Sequence, residues 1–284
     1  GDAVLARQGA WLKREDDFVE VSDGALRGFG ARAFCPTPRA REALARRGFT
    51  LDAPPAEVIA RVLSRRFAYE ACGPSHALGC IAGDPGHALW HMDGHPEITG
   101  WLLRTLLGFA GKGRRVATHP DDATLAFLRR ACREGGVLVE PHERVIADYA
   151  LHGYVDLAGA VTIGSPVRCD VRGGTFRAAR LAGDELGGAW RAALLEQAER
   201  AGSALASTGY WGPFGVDAFA CEAPAGARFV PRCELNARYT MAWGLGMAGL
   251  RVDRSAQGEF VRAGLDGSDR EEESPGPSGT TRHP

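Results

Sequence analysis

The chain has 284 residues, 45% hydrophobic and 24% charged, with a formal net charge of −1. That composition suits a soluble globular protein with one large domain or two smaller ones and a core of ordinary size. A near-neutral surface offers no global field for nucleic acid or an anionic membrane, and no apolar run approaches the ~20 residues of a membrane span. Only Lys13 and Lys112 among the 34 basic residues are lysines. The seven cysteines are odd in number, widely spread and free of any Cys-x-x-Cys, the pattern of reduced thiols in a cytoplasmic chain. The sequence starts on Gly1, shows no signal peptide, and reads as a fragment lacking its native start.

In chain order, "CPTPRAREALARRGF" predicts a short helix capped by Thr37, with Pro38 at its first position and Gly48 as its stop. "DAPPAEVIARVLSRRFAYEACG" predicts a second helix, apolar at Val58, Ile59, Val62, Leu63 and Phe67 and ended by Gly73. Residues 73–100 are rich in Gly, His and Pro and read as loop. "WLLR" (101–104) and "RRVAT" are short strands around the loop "TLLGFAGKG" (105–113). "HPDDATLAFLRRACREGG" has acids in its first turn, arginines in its last and a Gly-Gly stop, as a helix should. "VLVE" (137–140) is a buried type of strand, and "ADYALHGYVDLAGAVTIGSPVRC" alternates as strand, turn, strand. "GGAWRAALLEQAERAGSALAST" is an amphipathic helix. "GPFGVDAFACE" and "RFVPRCELNAR", joined at "APAGA", form a hairpin. Beyond Leu265 the apolar residues give out, and 266–284 reads as a disordered tail.

Chemistry gathers at the hairpin. Glu234, Asn236 and Arg238 alternate with Leu235 and Ala237, so in a strand the polar trio shares one face. Asp217 on the first strand can join them. Three oxygen-bearing groups suit Mg²⁺, which takes one or two carboxylates and completes its shell elsewhere, and Arg238 can then meet phosphate or developing negative charge. The plainer alternative is a solvated sheet face. "GFAGKGRR" (108–115) combines three glycines with Lys112, Arg114 and Arg115 between two strands. Its glycines let backbone N–H groups approach an anion, although the Walker pattern is not met; an ordinary glycine-rich turn remains the alternative. "VLVEPHERVIADY" (137–149) joins two regions. At Glu140-Pro141 it can offer backbone groups to an adenine edge, and Asp148 can accept from ribose hydroxyls. In "HALWHMDGHPE" His87, His91 and His95 have metal-ligand spacing only on a helix, and Gly86, Gly94 and Pro96 favour a surface linker instead. No Ser-His-Asp or Cys-His arrangement is evident.

Taken in order, "GFAGKGRR", "VLVEPHERVIAD" and "GPFGVDAF…RFVPRCELNAR" resemble the ATP-grasp superfamily over roughly residues 56 to 250. The resemblance implies an α+β fold of two subdomains enclosing a nucleotide cleft. The ATP-grasp domain would be 56–265, with a small subdomain at about 97–143 and a large one at about 144–265. Residues 1–55 would be a remnant of a preceding N-terminal domain. It implies Asp217, Glu234 and Asn236 as ligands of one or two Mg²⁺ ions, or Mn²⁺ in their place, and Arg238 as the phosphate- or substrate-contacting arginine. Gly111, Lys112 and Gly113 would belong to the phosphate-covering loop, Glu140 to the adenine hinge and Asp148 to the ribose contact. Arg66, or its neighbour Arg65, would face the α-phosphate. One departure is Arg104, which stands where the family has a phosphate-binding lysine and is not equivalent to it.

The implied activity is a ligase using ATP to convert a carboxylate to an acyl phosphate, which an amine or another nucleophile then attacks. Its partners are ATP, a small acid and that nucleophile, without nucleic acid or membrane, and a homo-oligomer is compatible. Arg104 motivates an alternative, a degenerate module that binds nucleotide without turnover. A metal-dependent hydrolase using Asp217 and Glu234 is disfavoured because no second ligand cluster accompanies them.

Overall fold

The computed structural model describes residues 33–46, 50–108, 113–173, 175–224, 226–250 and 252. Its helices are α1 (Pro38–Ala45), α2 (Ala56–Val62), α3 (Arg65–Cys72), α4 (Pro85–Asp93), α5 (Asp122–Arg133), α6 (Gly188–Ser207) and α7 (Trp243–Gly246). Its strands are β1 (Cys80–Ala82), β2 (Trp101–Thr105), β3 (Arg114–Ala117), β4 (Val137–Pro141), β5 (Val145–Val155), β6 (Val161–Ile163), β7 (Val167–Arg172), β8 (Thr175–Leu181), β9 (Gly212–Ala223) and β10 (Gly226–Asn236). They form a four-stranded sheet in the order β1-β4-β2-β3 and a six-stranded one in which β10-β9-β5-β7-β8 run side by side and β6 also pairs with β5. All the pairings are antiparallel. The α+β architecture expected from the sequence is therefore present.

Each sheet is apolar on one face because its strands alternate. In the four-stranded sheet Trp101, Leu103, Val137 and Val139 pack with Ala88 and Met92 of α4 and Phe127, Leu128 and Ala131 of α5. The intervening residues Leu102, Arg104, Leu138 and Glu140 lie on the opposite face, with Leu102 beside Glu140 and Arg104 beside Leu138. In the six-stranded sheet Tyr149, Leu151, Val155, Phe214, Val216, Ala218 and Leu235 pack against Leu194, Ala198, Ala201 and Leu205 of α6. Burying each of those leucines contributes roughly 1.5–3 kcal/mol. The approach of α6 depends on two glycines. A Cβ on Gly202 would come within 2.5 Å of Val161 Cγ1, and one on Gly153 within 2.4 Å of Phe214 Cζ. Gly202 in mid-helix lowers helix propensity but lets the helix sit down on the sheet.

Three sequence expectations need correction. Residues 73–100 are not all loop, since they contain β1 and α4. Asp84 caps α4 by accepting from His87 N at 2.9 Å, and Pro85 opens it. Gly86 sits in the first turn, while Gly94 and Pro96 lie beyond the last, so these residues bound the helix instead of breaking it. The single helix expected over the "PAEVIARVLSRRFAYEACG" run is two, α2 and α3. Ser64 takes an extended conformation between them, and its Oγ accepts from Arg66 N at 3.2 Å. Strand β8, mostly exposed, has too little apolar alternation to announce itself. Gly48 and the 266–284 tail lie outside the described residues.

Candidate active site

The β9–β10 hairpin puts Glu234 opposite Asp217 and Asn236 opposite Gly215, after a register irregularity between Val230 and Glu234. Leu235 and Ala237 go into the core with Val216 and Ala218. The alternation in "ELNAR" thus serves both faces of one strand. Asn236 Nδ2 donates to Asp217 Oδ2 at 2.8 Å, and Arg238 donates to Asn236 Oδ1. Part of Asp217 remains open, but most of the volume around its carboxyl is protein. Burial, and after it the charge of Glu234, pushes that carboxyl up to about 7. Asp148 shares this face two residues along β5 from Ala150, the partner of Asp217. Burial raises its carboxyl too, against the pull of Arg168.

Two arginines connect this face to the other sheet. Arg65, the first residue of α3, donates to Glu234 Oε1 at 2.6 Å and to the Thr105 carbonyl at 2.7 Å. Its backbone N–H donates to the Leu106 carbonyl at 2.9 Å, which ties the start of α3 to the end of β2. Arg104 donates to Glu140 Oε2 and, at 3.1 Å, to the Cys233 carbonyl on β10. The second oxygen of Glu140 accepts from Ser75. Arg104 is 8% exposed and Glu140 5%, so their ion pair is buried. Burial works against the Arg104 charge, but Glu140 and Glu234 outweigh it and its pKa is raised.

The remaining residues singled out in the sequence are less concentrated. Arg66 points away from Glu234, donating to the Gly135 carbonyl at 3.1 Å and pairing with Glu70 at 3.5 Å. The Glu140 side chain is turned into its pair with Arg104. Gly111 and Lys112 lie outside the described residues; Gly113 closes the base of the β2–β3 hairpin, its carbonyl accepting from Thr105 N at 2.8 Å. Arg115 is engaged by Asp121 and Thr124 at the start of α5. His87 and His91 do share α4, with His95 just past its end, but among the described residues no three His, Cys, Asp or Glu side chains group as metal ligands. Sequence reasoning gave Arg65 only as an alternative and missed Ser75. The available signal for Arg65 was Ser64, a capping residue inside an apolar run.

Beyond Arg238 a shallow surface depression, largely open to solvent, is lined by Phe34, Pro36, Asp52, Trp211 and Tyr239 among others. Its wall is formed just past the end of β10 and at the start of β9, and Arg238 is the residue it shares with the acid face. For a divalent ion the donors on this face are hard oxygens: the Asp217 and Glu234 carboxylates and the Asn236 amide, whose oxygen Arg238 now holds. A carboxyl pushed to about 7 beside a second acid is a charge arrangement that a cation relieves. The residues fit Mg²⁺.

No family model matches the sequence, and no curated protein does. Solved structures do match. D-alanyl-alanine synthetase A from Vibrio cholerae O1 biovar eltor aligns with TM-score 0.52 at 15% identity, over 75% of this chain and 64% of that one. The biotin carboxylase domain of 2-oxoglutarate carboxylase from Hydrogenobacter thermophilus, solved with MgADP, ADP and bicarbonate, aligns with TM-score 0.53 at 17% identity over 76% and 52%. N5-carboxyaminoimidazole ribonucleotide synthetase from Thermus thermophilus gives 0.50 at 19% over 84% and 70%. At such identities the likeness is one of fold, and the chain has the ATP-grasp fold. It spans 64% of the length of the Vibrio cholerae protein.

Proposed function

We propose that this chain of ATP-grasp fold is an ATP- and Mg²⁺-dependent carboxylate ligase. The carrying observation is that Asp217, Glu234 and Asn236 come together on one sheet face with Arg65 and Arg238 beside them. In this reading a carboxylate oxygen attacks the γ-phosphorus of ATP, ADP leaves, and an acyl phosphate forms. An amine or similar nucleophile then attacks the acyl carbon, phosphate departs, and the amine proton passes to solvent. Asp217, Glu234 and Asn236 would hold Mg²⁺, which supplies neutralising charge to the phosphates.

The chain's own residues bind and orient. Arg238, which lines the shallow depression and bonds Asn236 on the acid face, would draw the acid's carboxylate toward the phosphoryl group. Arg65 would face the phosphates and residues 111–113 would cover them, while Arg104 stays behind with its charge already paired to Glu140. The segment after Glu140 and Pro141 borders the base, and Asp148 lies within the same face for a sugar hydroxyl. Arg66 keeps a part only if its side chain swings from Gly135. ATP and reduced thiols both fit a cytoplasmic setting. No described helix is long and apolar enough to cross a membrane. The second reading, a nucleotide-binding module without turnover, is favoured by Arg104, whose guanidinium is already committed to Glu140.

Calorimetry with ATP and Mg²⁺ tests both. Glu234→Gln is expected to weaken Mg²⁺-dependent ATP binding at least about tenfold, the loss of a charged ligand. Absent ATP binding, or binding indifferent to this change, would sink both readings. Phosphate release in mixtures of small acids and amines separates the ligase from the module.

A further inference from the structure

We infer that Arg65 is a placeholder cation: it occupies Glu234 when the site holds no metal, and it is handed to the nucleotide phosphates when a divalent ion takes Glu234. The inference rests on the proposed function and concerns how its two ligands depend on one another.

The contact is well defined. Arg65 reaches Glu234 Oε1 at 2.6 Å, with side-chain exposures of 13% and 29%, so the pair is largely shielded from water and from screening salt. A second anchor, the Thr105 carbonyl at 2.7 Å, keeps the guanidinium over the cleft, and its Nε is buried without a partner. The Thr105 carbonyl is thus a pivot that the exchange need not break. The other bridging arginine differs. The Arg104 and Glu140 side chains are both nearly buried, and Glu140 is also held by Ser75, so that pair has no role to exchange.

Consider each ligand alone. A divalent ion that takes Glu234 competes with Arg65 for that carboxylate, and alone it leaves two positive groups facing each other across it. A nucleotide alone brings phosphates to a face carrying Glu234 and Asp217, while Arg65 is still engaged. Together they exchange one ion pair for two, metal with Glu234 and Arg65 with phosphate. Each ligand removes the obstacle to the other, which is positive coupling, and linkage makes it reciprocal. Neither free metal nor metal-free nucleotide would then fill the site.

The test is calorimetry on the whole chain with Mn²⁺ alone, ADP alone, and both, correcting for Mn²⁺–ADP association in solution. Wild type is expected to bind Mn²⁺ alone weakly and to show coupling of about 50-fold. In Arg65→Gln, Mn²⁺ alone should bind about tenfold tighter, ADP alone about tenfold weaker, and coupling should fall below about fivefold. Should that variant not fold, Arg65→Lys serves. A lysine lacks the fork that holds the Thr105 carbonyl and Glu234 on separate nitrogens, so metal alone should tighten about threefold. Unchanged metal-only affinity in the variant, or additive binding in wild type, overturns the inference. If wild type binds no ADP even with Mn²⁺, the proposed function itself has failed. If ADP binds and metal-only affinity stays put in the variant, only the placeholder has failed.

Discussion

The two sheet faces that Arg65 and Arg104 connect both carry ionisable groups and manage them differently. On the four-stranded sheet, Arg104 and Glu140 close on each other in a buried pair with Ser75 as third member. On the six-stranded sheet, Asp217 and Glu234 lie opposite one another; Asn236 and Arg238 offset Asp217 from the same strand and its continuation, while the partner of Glu234, Arg65, comes from outside the hairpin. The first arrangement is self-sufficient and structural. The second is incomplete by itself, and that incompleteness is what lets a face accept a ligand.

The largest expected effect lies in the closed pair. Glu140→Leu leaves the Arg104 charge buried without its partner, and urea unfolding should show a loss of about 3–5 kcal/mol. Combining it with Arg104→Met should recover most of that loss, because desolvation of both charges disappears. A double variant as unstable as the single one would show that the pair is not self-contained.

Next is the open face. The Asp217 pKa is raised, to about 7 from 3.8, so the native chain holds an extra proton over that interval. Stability from this group is fully present below 3.8 and is lost as pH rises through 7. Asp217→Asn, whose amide oxygen can still accept from Asn236, should gain about 1–2 kcal/mol at pH 8, after discounting for its open side, and little at pH 4. Equal gains at both pH values would contradict the assignment. The smallest effect belongs to Arg66, whose pair with Glu70 is exposed; Arg66→Ala should change stability by no more than about 0.5 kcal/mol.

What the sequence disclosed follows from the range of the forces. The alternation in "CELNAR", the capped α5 and the long α6 are local patterns, and they appear in the fold where periodicity put them. The α2–α3 break was also local, written in Ser64, but a capping residue inside an apolar run is outvoted by the run. Strand β1 is three residues long and is defined by its pairing to β4, more than fifty positions away, so no local signal marks it. The same holds for charge. Arg104 and Glu140 are separated by 36 positions and Arg65 and Glu234 by 169, and only the folded sheets bring them together. Arg104 was legible as an unusual residue; that its charge is already matched was not.

His152 lies on β5 across from Gly215, fully buried, with neither ring nitrogen partnered among the described residues. Gly246 crowds it so closely that a Cβ there would meet Nδ1 at 2.4 Å. Burial pushes the imidazole down to about 3, from 6.5. Between 3.8 and 6.5 the unfolded chain therefore carries a proton on this histidine that the native chain lacks, while Asp217 gives the native chain a proton that the unfolded one lacks. These two proton differences have opposite sign and almost the same span, so their slopes cancel. In that interval each group masks the other in the pH dependence of stability, and neutralising either one alone would bring the other into view.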